Sequence, residues 1–190
     1  GDVPTRSANE GEVRLSPTTE LVILVGLPET HTQIRAQVEA HRIAPLTALS
    51  PGPEGFLVKT VPRAGGYLVI VAGSDPRGVL YGAGEILRQM VVRGSMLELP
   101  ATLTVRSAPA FAVRGTQLGQ SSVALDRAKV RPWTEPDRRH AVLDFALAGL
   151  NTVEVGEGVR EDDPMYRLLK SFGLKSLVHY GPNTGDGPPE

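Results

Sequence analysis

Two polar side chains able to bind a ligand stand at matching places in the C-terminal half of this sequence. Glu154 closes the stretch "NTVEVG", and His179 lies near the end of "KSLVHYG". Both stretches read as strands. A carboxylate and an imidazole at successive strand ends could hold polar groups of a ligand. A solvated or ion-paired strand end accounts for Glu154 as well. His31, His41 and His140 fall in helical stretches, and no pair among them has zinc-ligand spacing with a carboxylate. Cysteine is absent, so disulfides and thiolate zinc sites are excluded. Trp133 could stack on a ring, or simply pack ahead of a helix. "REDDP" reads as a solvated loop and helix start rather than a metal site.

A second stretch carries the residue types of phosphate chemistry. "GSDPRG" spans Gly73 to Gly78 and follows the apolar run "YLVIVA". A phosphate loop needs Lys and Ser or Thr after its second glycine, and Val79 and Leu80 stand there. The dinucleotide pattern needs a glycine where Asp75 sits, and a carboxylate would repel pyrophosphate. Both nucleotide readings fail, and no cofactor is expected. The helix reading succeeds: Asp75 is an N-cap and Pro76 suits the first turn. It predicts a buried stripe of Val79, Leu80, Ala83, Ile86, Leu87 and Met90. Gly78 and Gly82 lie beside that stripe, with Tyr81, Glu85 and Arg88 on the opposite face.

The elements that must position these residues divide in rhythm. The 190 residues carry 20 basic and 21 acidic side chains, a balance unlike that of a general nucleic-acid binder. No apolar run approaches the ~18 residues that cross a bilayer. Residues 1–18, opening "GDVPTRSANEGE", are expected to be a flexible segment left after removal of a leader, which points to a periplasmic or secreted protein. Residues 19–109 read β-α-β-β-α-β: an α+β domain with its helices on one face of a sheet. "GFLVKTV" and "GYLVIVAG" form its hairpin, and a helix is expected over 29–43. Residues 110–181 read β-α-β-α-β, the repeat of a parallel sheet or an incomplete TIM-type barrel. There, Thr134 caps a helix with Asp137 three residues on and Gly149 at its end. Residues 182–190 read as a disordered tail.

"GYLVIVAGSDPRGVLYGAGEILRQM" resembles the end of the non-catalytic α/β domain that precedes the barrel in family 20 β-hexosaminidases and family 67 α-glucuronidases. "PEGFLVKTV" resembles the preceding strand of the latter. "APAFAVRGTQLG" is similar to the barrel entry, where an Arg-Gly pair ends the first strand, and "WTEPDRRHAVLDFALAGLNTVEV" to the first barrel helix and second strand. The resemblance implies that Arg114 holds sugar hydroxyls; a salt bridge at a strand end is the competing role. The aspartate that follows the pair in family 20 is missing from "RGTQLGQ".

In these families the catalytic carboxylates lie on later strands, so none transfers to this chain. The expectation is a glycoside hydrolase fragment, an accessory domain with the start of a barrel, inactive alone. Its partners would be a carbohydrate substrate and the remainder of the barrel, or a second copy through self-association. Arg114, Glu154 and His179 are the substrate-binding candidates. The alternatives are a standalone carbohydrate-binding or protein-interaction module, and an unrelated α/β regulatory domain.

Overall fold

The computed structural model describes residues 21–94, 96–117, 133–155 and 162–178. The expected flexible ends at 1–18 and 182–190, and His179, lie outside the described residues. Among those residues the chain is a mixed α/β protein with four helices and three sheets. It divides into two compact units at the Ala110–Phe111 junction.

In chain order the first unit runs β1 (Leu21–Gly26), α1 (Thr32–Glu39), β2 (Phe56–Arg63), β3 (Gly66–Gly73), α2 (Pro76–Gln89), β4 (Val91–Arg93), β5 (Met96–Glu98) and β6 (Thr104–Ser107). The main sheet has the order β1-β3-β2-β6. β1 runs parallel to β3, whereas β2 is antiparallel to both β3 and β6. The expected β2–β3 hairpin is present, turning at Gly65 with φ +81°. β4 and β5 form a small separate hairpin that the sequence reading missed. Each strand is only three residues long, too short to show a period.

The helices do not share one face, which corrects the expected arrangement. Leu68, Ile70 and Ala72 of β3 pack in one cluster with Ile34 of α1. Val69 and Val71 pack in another with Tyr81 and Ile86 of α2. The cause is visible in β3 itself. Leu68 through Ala72 are apolar at every position and at most 4% exposed. A strand without polar alternation is buried on both faces, and each face needs its own cover. α1 is also shorter than 29–43. His41 takes φ +53°, and the N–H groups of His41 and Arg42 donate to the carbonyls of Val38 and Gln37, a left-handed helix stop.

The second unit runs β7 (Gly115–Gln117), α3 (Glu135–Leu147), β8 (Thr152–Val155), α4 (Pro164–Ser171) and β9 (Lys175–Val178). Its strands are all parallel, in the order β7-β8-β9. The Thr134–Asp137 capping box forms, and Gly149 follows α3 at φ +89°. Val142 of α3 and Leu169 of α4 pack in one cluster with Val153 and Val155. Both helices therefore cover the same face of this sheet.

Candidate functional site

The "GSDPRG" stretch forms a closed joint. Asp75 caps α2: one carboxylate oxygen accepts from the Gly78 N–H at 2.8 Å, and the other from the Glu54 N–H at 2.6 Å. Ser74 Oγ donates to the Gly52 carbonyl at 2.6 Å and accepts from the Gly55 N–H at 3.0 Å. Arg77 pairs with Glu54 at 2.9 Å. A Cβ on Gly78 would stand 2.0 Å from the Gly55 carbonyl oxygen. The helix N-terminus that might have drawn a phosphate already holds a carboxylate and a backbone turn. This joint is structural.

The glycines also set how α2 lies. Gly78, Tyr81, Gly82 and Ile86 are buried, and a Cβ on Gly82 would sit 2.9 Å from Val71. The expected stripe is thus rotated. Ile86 is buried, Val79, Leu80, Ala83 and Met90 are half-buried, and Leu87 is 53% exposed. Close backbone approach favours the face that carries the glycines over the face with larger side chains. Glu85 is drawn inward as well. The Gln89 amide at 2.8 Å, and secondarily Arg88, hold its carboxyl below the ordinary glutamate range against the opposing effect of burial.

The second sheet offers a different surface. Val153 and Val155 of β8 point to the helices, so alternation turns Thr152 and Glu154 to the other face. Gln117 is the register partner of Glu154 on β7, and Leu177 its partner on β9. Gln117 Nε2 donates to Glu154 Oε1 at 3.2 Å. Gln117 is exposed, Glu154 half-buried and Leu177 57% exposed. An amide, a carboxylate and an isobutyl group thus form one row at the carboxyl ends of parallel strands, where open α/β sheets and barrels place their ligands.

Arg114 stands at the other end. β7 begins at Gly115, so the Arg-Gly pair opens the strand rather than ending it, a correction to the sequence reading. Phe111 and Val113 are 74% and 71% exposed, so the preceding residues do not form a buried strand. The Arg114 guanidinium donates to the carbonyls of Gly149 at 2.7 Å and Phe111 at 2.5 Å. Beside it lies Asn151, only 3% exposed. Its side-chain oxygen accepts from the Arg114 N–H at 3.0 Å, and its amide donates to the Ala112 carbonyl at 2.8 Å. The Arg114 carbonyl in turn accepts from the Asn151 and Thr152 N–H groups. Asn151 staples the entry of β7 to that of β8. The sequence reading passed over it, because an asparagine after a helix stop looks like an ordinary turn residue.

The other candidates are local. His31 caps α1, accepting weakly from the Ile34 N–H at 3.4 Å. His140 lies exposed on α3, and Trp133 is 47% exposed just before it. Among the described residues no group of three or more His, Asp or Glu side chains could hold a metal ion. No described helix is long and apolar enough to cross a membrane.

No protein-family model matches this sequence, and neither does any curated protein. Solved structures do. CpGH84B, a family 84 glycoside hydrolase, matches 86% of this chain and 33% of its own length, with a TM-score of 0.52 and 11% identity. The chain shares its fold with part of that enzyme. A family 20 β-N-acetylglucosaminidase matches 66% of this chain and 30% of its own, with a TM-score of 0.47 and 18% identity. The chain spans about a third of the length of these structures. The relationship to CpGH84B is distant and is one of fold alone. Its coverage exceeds what either unit could supply, so both units share in it.

Proposed function

We propose that this chain is an accessory α/β domain followed by the first β/α units of a glycoside hydrolase barrel, with its sugar-facing surface on the open face of β7–β9. The observation that carries the reading is the arrangement of the second unit. Three parallel strands run in sequential order with both helices on one face. That unit is the repeat of a barrel. The fold likeness to part of CpGH84B supports it.

In this reading Glu154 is a sugar-binding residue and Arg114 a structural one, its donors directed to main-chain carbonyls. Most glycoside hydrolases use two carboxyl groups flanking the bond, roughly 5 to 10 Å apart. The described part of the open face presents Glu154 as its one carboxylate. We expect the chain to bind sugars weakly without cleaving them. Saturation-transfer NMR of the 190-residue chain against glucose and N-acetylglucosamine, with aryl-glycoside assays in parallel, tests this. Sugar signals without turnover are expected. Turnover that disappears in Glu154→Gln, or no transfer to any sugar, would overturn it.

A further inference from the structure

We propose that the β1 edge of the main sheet is a dimer interface, where two copies of this chain pair their β1 strands antiparallel about a two-fold axis. Among the described residues β1 is paired on one side only, with β3, in an unbroken register from Leu21 to Gly26. Alternate residues of such a strand turn their N–H and carbonyl groups away from the sheet, where another strand can take them up. Natural edges are kept single by charged side chains, proline, bulges or short length. β1 has none of these: it reads "LVILVG" and pairs without interruption over six residues. The opposite edge of the same sheet is blunted. β6 is four residues long, and three of its side chains are polar. One of them, Arg106, donates from its guanidinium to the Pro45 and Ser50 carbonyls at 2.7 and 2.8 Å.

The side chains of β1 select a second copy as the occupant. Leu24 packs in the cluster with α1. Ile23 and Val25 stand on the other face, in register with Val69 and Val71, and both are exposed. A two-fold axis perpendicular to the sheet keeps each face on its own side, so a residue meets only residues of its own face. With Leu24 on the axis, Ile23 of one copy faces Val25 of the other. With Ile23 on the axis, Ile23 faces itself and Val25 faces Leu21. Either register sets apolar side chains against apolar side chains on the exposed face, and neither opposes like charges. The strand is thus its own complement, and pairing covers Ile23 and Val25 in both copies at once.

The test is sedimentation velocity of the full 190-residue chain over about 1 to 300 µM, with amide hydrogen exchange in parallel. A dimer fraction that rises with concentration is expected, together with slower exchange in β1. Ile23→Lys and Val25→Lys each bring a charge into the interface twice, and each should weaken the dimer by about tenfold or more. The melting temperature of the dilute chain should stay unchanged in both, since both side chains are exposed there. Leu177→Lys, on the open face of the second unit, should leave the dimer as it is. A monomer throughout the range overturns the proposal. So does a dimer that keeps its affinity in both β1 variants, or one that is lost with Leu177→Lys instead. A monomer whose β1 amides are already protected overturns it as well, by showing that another segment of the chain covers the edge.

Discussion

Strands β3 and β8 are both central, each with a neighbour on either side, yet they lead to opposite uses. β3 is apolar on both faces and has a helix over each. β8 alternates, giving Val153 and Val155 to its helices and Thr152 and Glu154 to the open side. A strand covered twice contributes stability and no reachable chemistry. The second face of β8 is not covered by any described helix, and it is the face the proposal assigns to a ligand. The loops follow suit. "GSDPRG" has the residue types of a binding loop, but its polar atoms are turned onto the neighbouring turn and helix. "NTVEV" carries no motif, and it holds Glu154, the carboxylate of the proposed surface.

The comparison breaks most sharply at Gly78. Gly78→Ala would drive a methyl group into the Gly55 carbonyl, a backbone atom that cannot swing aside. We expect a loss of about 3 kcal/mol, the upper end for overpacking, read as a lowered denaturant midpoint. An unmoved midpoint would mean that the joint is loose. Asn151→Ala is the counterpart in the second unit. It leaves the Arg114 N–H and Ala112 carbonyl without their buried partner, at about 1–3 kcal/mol. Hydrogen exchange should accelerate at Gly115–Gln117 and stay slow in β3; equal acceleration in both would contradict the staple. Leu87→Ala should cost about 0.5 kcal/mol or less, since the side chain is 53% exposed. Ile86→Ala, one residue away and 4% exposed, should cost about 2–5 kcal/mol. Reversed magnitudes would restore the stripe read from the sequence.

The smallest effect is at Glu85. Its folded value lies below the ordinary 4.5, so its ionised form favours the fold. That contribution is complete above the ordinary glutamate range and fades as pH falls through the lower folded value. Melting curves taken downward from about pH 5 should fall less steeply for Glu85→Gln than for the wild type. Parallel curves would show that the Gln89 and Arg88 contacts do not matter in solution.

What was legible in the sequence is what is set locally. The caps at Asp75 and at Thr134 with Asp137, the glycine after α3 and the β2–β3 hairpin depend on a few adjacent residues, and they form as read. The positions of the two helices over β3 were present in the unbroken "LVIVA" but were assigned to a single face. The face of α2 was misjudged because side-chain size was weighed above backbone approach at Gly78 and Gly82. The placement of Arg114 at the entry of β7 and the role of Asn151 were not legible for another reason. Their roles depend on where β7 begins and how it registers with β8, and no periodicity in a three-residue strand carries that. The Gln117–Glu154 pairing is likewise a fact of register, joining residues 37 positions apart.

The central claim is that ligand chemistry belongs to the open face of β7–β9 and that "GSDPRG" is a structural joint. Backbone amide shift mapping of the full chain with methyl β-glucoside tests it most directly. Shifts concentrated at Thr116, Gln117 and Thr152–Val155, with Gly52–Gly55 and Ser74–Gly78 unmoved, are the predicted result. Shifts centred on Ser74–Gly78 and the turn against it, with β7 and β8 silent, would contradict the account.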